Sequence, residues 1–188
     1  MRILRAIAVL AVAMLAACGG VTSNHPIGIA HGAVSDERLL GAWTLVPNDP
    51  SNGTASAFIL KQGQALRALL VITGDNEWWE ADIVPGKAGQ YGMLNLRPIL
   101  KNREPVKDGD KIDGYYPLRY TAGTDGNISL FLWSEDELRT AVRNKRIAGS
   151  ETASRIVLTA EPDALDAFFA TEAESLFAVP YATLTKPK

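Results

Sequence analysis

The chain has very little cysteine and histidine. Its 188 residues hold one cysteine, Cys18, and two histidines, His25 and His31. A single cysteine excludes an intrachain disulfide, so the fold must be stable by packing alone. From about residue 36 onward neither histidine nor cysteine occurs. That excludes Ser-His-Asp and Cys-His catalysis there, along with the usual zinc sites. An excess of positive charge is lacking too: 19 Lys and Arg stand against 21 Asp and Glu, a net charge of −2. With no basic stripe, nucleic acid is not an expected partner. No apolar run is long enough to cross a bilayer as a stable helix. There is no internal repeat and no low-complexity tract.

What is present begins at the N-terminus. Arg2 and Arg5 precede the uncharged run from Ala6 to Ala17, which ends in Leu15-Ala16-Ala17-Cys18. A charged start, a short apolar core and small residues at its end form the layout of a secretory signal. A globular surface helix would show a polar face, and this run has none. The segment resembles the lipobox of bacterial lipoproteins. That resemblance implies cleavage of residues 1–17, a diacylglycerol on the Cys18 sulfur and usually a third chain on its amine. Each buried methylene contributes about 0.8 kcal/mol, so two or three chains hold a protein on a membrane where one does not. Gly19, in place of an aspartate, goes in many such lipoproteins with transport to the outer membrane. The expected location is therefore the cell envelope, on the outer membrane facing the periplasm, with the membrane as a partner through Cys18.

Residues 18–35 are rich in glycine and have little periodicity. They read as a flexible tether, with His25 and His31 as solvated residues rather than a metal site, since metal ligands need a rigid frame. Residues 36–188 read as one globular domain.

Its first part reads as short strands between turn signals. Leu40–Val46 is closed by the loop Pro47-Asn48-Asp49-Pro50-Ser51-Asn52-Gly53. Ala55–Lys61 and Ala65–Thr73 follow, separated by Gln62-Gly63-Gln64. After Gly74-Asp75-Asn76, Trp78–Val84 alternates as a half-buried strand does. Pro85-Gly86 reads as a turn before Tyr91–Arg97, and residues 101–114 as a long loop. Tyr116–Ala122 and Asn127–Trp133 flank Gly123-Thr124-Asp125-Gly126, a hairpin turn. Ser134-Glu135-Asp136-Glu137 is a capping box opening a helix that Gly149 stops. Arg155–Thr159 reads as the eighth strand. Pro162 opens a second helix carrying Leu165, Phe168, Phe169, Ala173 and Leu176, ended by Pro180, with Tyr181–Thr185 available as a ninth strand.

The strand 127–133 is apolar on both faces, which implies a cover on the second. The two helices are the available cover. The expected fold is mainly β: an antiparallel sheet curved or closed into a lipocalin-like barrel of about eight strands, with two helices in the C-terminal half.

Leu40-Gly41-Ala42-Trp43 opens the first of these strands. A Gly-x-Trp there resembles the signature of calycins, the superfamily of lipocalins and related barrels. The resemblance implies that Trp43 plugs the closed end of the barrel and that a basic residue from the last strand lies across its ring. Arg155 is the candidate for that cation. The chain also resembles a group of small bacterial proteins with an early Leu-x-Gly-x-Trp and a late apolar-Leu-Thr-Ala, here Val157-Leu158-Thr159-Ala160. Both resemblances bear on architecture more than on function.

Few constellations carry chemistry. Trp78 and Trp79 beside Glu80 and Asp82 could stack on a sugar, but the pattern also fits an ordinary strand surface with Trp79 in the core. Asp108, Asp110 and Asp113 are spaced as cation ligands are. Ile112 and two lysines interrupt them, and no glutamate closes the site. Phe168 and Phe169 read as core. No cofactor, metal or catalytic residue is expected. The favoured reading is a non-catalytic module binding a small apolar or amphipathic ligand, lined by Leu69, Val71, Phe131 and Trp133. The second is a structural or assembly lipoprotein that binds other envelope proteins. The third is a carboxylate-based hydrolase.

Overall fold

Period-two alternation along the chain is realised as strands that put one face inside a closed sheet. The computed structural model describes residues 20–187 apart from 33, 64, 74–76 and 107–113. Its elements in chain order are β1 (Val21–Ser23), β2 (Gly41–Pro47), β3 (Ala55–Gln62), β4 (Ala65–Ile72), β5 (Trp78–Ala88), β6 (Tyr91–Lys101), β7 (Glu104–Pro105), β8 (Tyr116–Ala122) and β9 (Ile128–Leu132). Then come α1 (Glu135–Arg143), β10 (Gly149–Glu151), β11 (Ile156–Leu158), α2 (Pro162–Leu176) and β12 (Val179–Thr185).

Eight of the strands form an antiparallel barrel. β2, β3, β4, β5, β6, β8, β9 and β12 each pair with the next, and β12 pairs back with β2. This is an up-and-down meander closed on itself, which removes the exposed edges that an open sheet would leave. The mainly β barrel with two C-terminal helices is thus the architecture observed. The alternation is plain on β3, where Ala55, Ala57 and Ile59 are buried while Ser56, Phe58 and Leu60 are exposed.

The chain between β9 and β12 makes a second layer outside the barrel. It carries α1, α2 and two strands of a three-stranded sheet, in which β11 pairs with β10 and, in parallel, with β1 from the N-terminal segment. Leu165, Phe169, Ala173 and Leu176 recur at helical spacing on α2 and are buried. They join Leu138, Ala141, Ile156 and Leu158 in a core against Ala88 and Met93 of the barrel's outer face. Phe131 packs against this layer, so the second apolar face of β9 is covered as its sequence requires. Ser134 caps α1 by accepting from the Glu137 N–H. Its own N–H donates to the Leu176 carbonyl at 2.6 Å, so the second half of the capping box is replaced by a tertiary bond.

Three sequence readings need correction. The first concerns Arg155–Thr159, which is not the eighth barrel strand. Ile156–Leu158 lies in the outer sheet, and β12 closes the barrel. Short apolar segments carry no mark of the sheet they join, and both candidates alternate. Secondly, Pro85-Gly86 is not a turn. β5 runs through it to Ala88, and the chain reverses at Gly89-Gln90.

The third correction is to the tether. Val21–Ser23 is a strand, and Val21 and Ile27 are fully buried. Asn95, itself fully buried, accepts from the Ile27 N–H at 2.7 Å and donates to the carbonyls of Ile27 and Val84, each at 2.9 Å. Asp166 on α2 accepts from the backbone N–H groups of Gly28 and Ala30. Gly28, at φ +84°, crosses β5 where Gly86 lies; a Cβ on Gly86 would sit 2.2 Å from the Ile27 carbonyl oxygen. The glycines here permit a close crossing and do not confer flexibility. His25 is half-buried and His31 exposed. Residues 1–19, and with them the cleavage site and Cys18, lie outside the described residues, as do Asp108, Asp110 and Asp113.

Candidate binding cavity

The size of the inward side chains decides whether a small barrel is filled or hollow. At the middle of β3, β4 and β5 those side chains are small. Ala68 faces Ile59 on one side and Ala81 on the other, and Ala81 faces Pro98 across a bulge in β6. Ala57 adds a further small position beside Leu70. The result is a cavity of about 380 Å³, within the range of small-molecule sites. Its walls are leucine, isoleucine and alanine from all eight barrel strands, with Trp79 and Trp133. Glu135 is the one charged residue among the described residues that line it, and its carboxylate is paired with Arg139.

One end of the barrel is plugged. Trp43 is buried there and donates its Nε1–H to the Leu39 carbonyl at 2.8 Å. The cation over its ring is Lys186, whose Nζ lies 3.5 Å from the ring centroid and also reaches the Leu40 carbonyl at 3.3 Å. Gly41 takes φ +113°, open to glycine but rarely to other residues, and a Cβ there would meet Lys186 Nζ at 3.4 Å. The Tyr120 hydroxyl donates to Asp36 at 2.8 Å. Hydrogen bonds from Arg38 hold the Asp36 carboxyl below the usual carboxylate range, against the opposing effect of its burial. Burial pushes the Tyr120 hydroxyl well above its ordinary value, and the Asp36 bond adds to that.

The other end is the mouth. Asn52, Gly53, Thr54, Tyr116, Trp133 and Tyr181 lie around it, and Gly20 closes the ring from the N-terminal side. The Tyr116 and Trp133 rings are 5.4 Å apart. Burial raises the pKa of Tyr181. The mouth thus sets aromatic rings above an apolar cup, a surface suited to a small apolar molecule.

The structure separates the residues expected to bind. Trp133 lines the cavity; Leu69, Val71 and Phe131 do not. On β4 the inward residues are Leu66, Ala68, Leu70 and Ile72, so Leu69 and Val71 point outward, one position out of phase. Because the strand repeat is two, an error of one residue exchanges the faces. Phe131 sits under the outer layer with the Arg119 guanidinium 4.1 Å from its ring centroid. Arg155 is likewise displaced from its expected role. It closes the turn before β11, where its backbone bonds to Thr152. The cation across the tryptophan ring is instead Lys186, just past the last barrel strand.

The other constellations lie elsewhere. Trp79 is buried and faces inward, while Trp78 is half-buried. Glu80 and Asp82 are outside the cavity wall, on the opposite face of β5. Arg67 reaches them at 3.1 and 2.9 Å, and Arg97 reaches Asp82 at 3.1 Å. Phe168 and Phe169 stack edge to face in the outer core, 5.3 Å apart. Among the described residues no cluster of His, Cys, Asp and Glu has the makings of a metal site. The residues that the sequence reading missed are the inward alanines and Lys186. Alanine at alternate positions of adjacent strands was the available signal.

Comparison with protein-family models, with curated proteins and with solved structures finds no match.

Proposed function

We propose that this chain is a membrane-anchored envelope lipoprotein whose barrel is a non-catalytic binding module for a small apolar or amphipathic ligand. The observation that carries the reading is the hollow, apolar interior. A domain that needed only stability would gain by filling it, since each unfilled cubic ångström of cavity costs about 24 cal/mol in comparable cores. Here three alanines, Ala57, Ala68 and Ala81, hold the space open. Trp79 adds a second sign: its buried Nε1–H has no partner among the described residues, a donor that a ligand carrying an acceptor would satisfy. The charged start, the apolar run and Leu15-Ala16-Ala17-Cys18 support the anchor, and Gly19 after the cysteine supports an outer-membrane location facing the periplasm.

The alternative, an assembly lipoprotein that binds envelope proteins, has its own observation. Phe58 and Leu60 are 43% and 62% exposed on the outer face of β3. Exposed apolar residues of this size on one strand are a feature of contact surfaces.

Native mass spectrometry of the full chain, purified in mild detergent and then denatured, distinguishes the two. The binding module predicts a stoichiometric apolar or amphipathic species released on unfolding. A chain that is empty, and that also fails to take up a hydrophobic dye, contradicts it.

A further inference from the structure

We infer that the mouth of the barrel faces the bilayer, and that the cavity loads lipid acyl chains from the membrane rather than from solution. This rests on the lipoprotein reading and adds an orientation and a ligand class to it.

The first observation is the position of Gly20. It lies on the cavity rim, close against the Tyr116 hydroxyl; a Cβ on Gly20 would be 2.3 Å from that oxygen. Its carbonyl accepts from the Ile156 N–H at 3.3 Å, and the chain then enters β1. Ser23 exchanges backbone hydrogen bonds with Tyr115 at 2.9 and 2.8 Å, and Asn95 clamps Ile27. The chain is therefore fixed to the barrel from its rim onward. Cys18 is two residues from Gly20, and two residues span at most ~7 Å. A lipid on Cys18 leaves the protein beside the mouth. A long flexible tether would leave the barrel free to turn over on the membrane; a link this short does not.

The second observation is the rim itself. Val46 near the end of β2, Val71 near the end of β4 and Val179 at the start of β12 are 39%, 38% and 52% exposed. All three stand at the mouth end, on three different strands. The opposite end carries the polar reversals Gln62-Gly63, Gly89-Gln90 and Thr124-Asp125-Gly126, with Leu60 on one strand as the large apolar side chain exposed near it among the described residues. Apolar side chains around the opening, next to a lipid attachment point, fit shallow insertion into the boundary between headgroups and acyl chains. With these outward side chains in the membrane boundary, the mouth opens at the level of the bilayer, and an acyl chain can enter without crossing water.

Single-cysteine labelling of the full lipidated chain tests the orientation, because Cys18 is the only native cysteine and the lipid blocks it. An environment-sensitive fluorophore is placed through V46C, V179C or T124C, and the protein is reconstituted in phosphatidylethanolamine and phosphatidylglycerol vesicles. The expected result is several-fold weaker iodide quenching for the labels at 46 and 179 than for the label at 124. Nitroxide-bearing lipid should quench in the opposite order. Rim labels as open to iodide as the label at 124 would overturn the orientation. The mass of the mature N-terminus is measured on the same sample. An unlipidated Cys18 overturns the lipoprotein reading and the inference with it. A lipidated chain that retains an apolar ligand while its rim stays in water overturns the inference alone.

Discussion

Filling the cavity should separate stability from binding, and Ala81→Leu is the substitution that does so. Ala81 faces Ala68 across β4 and Pro98 across β6, at the narrow-residue belt of the barrel. The change adds three carbons to a wall with empty space before it. At about 0.8 kcal/mol per buried methylene, the gain approaches 2.4 kcal/mol. Rotamer strain against neighbouring strands offsets part, leaving about 1–2 kcal/mol. For a domain of this size that raises Tm by about 2–8 °C. A ligand that filled the same volume loses room for roughly three methylenes, which weakens binding roughly 50-fold. Calorimetry of the ligand-free protein and titration with a naphthalene-sulfonate dye read the two effects separately. A variant that is less stable and binds the dye unchanged would refute the reasoning, because the added carbons would then be crowding a filled core away from the ligand.

The remaining predictions concern the clamp and the plug. Asn95→Ala leaves the Ile27 N–H and the Ile27 and Val84 carbonyls without their partner; at about 1–3 kcal/mol for each buried group, a loss of about 3 kcal/mol or more is expected in urea unfolding. The same variant should be cut sooner by protease near Gly28, and a loss under about 1 kcal/mol would show that the N-terminal segment is not held as described. Lys186→Ala removes the cation over Trp43 and should cost about 0.5–2 kcal/mol, seen as a lower Tm with altered tryptophan emission. Arg155→Ala should stay within about 0.5 kcal/mol of the parent, and equal effects of the two would reject the assignment of Lys186.

The fold was legible where the pattern was repetitive. Alternation in Ala55–Lys61 and Trp78–Val84, the turn Gly123-Thr124-Asp125-Gly126 and the Ser134 cap all gave elements near their true places. The doubly apolar strand at Ile128–Leu132 correctly required an outer cover. Harder to read was the partner of each strand. Ile156–Leu158 and Tyr181–Thr185 have similar local character, and only pairing over more than a hundred residues, β12 with β2, decides which one closes the barrel. From that error followed the choice of Arg155 over Lys186. Leu69 and Val71 are large and apolar but lie on the outer phase of β4, whereas the cavity exists because the inward phase places the small Ala68 between Leu66 and Leu70. Size selects residues that fill a core; a cavity is marked by the residues that fail to. The glycines of the N-terminal segment misled for a related reason, since a glycine needed for close approach to Lys87 and one in a solvated linker look alike in sequence.

The central claim is that an apolar molecule sits inside the barrel. A fatty acid brominated near the middle of its chain, soaked into crystals of the protein, locates the occupant by anomalous scattering. The bromine peak is expected between Leu70, Ala81 and Leu130, with the carboxylate toward the mouth. A peak on the outer face of β3, over Phe58 and Leu60, would contradict the account and turn attention to that surface as the functional one.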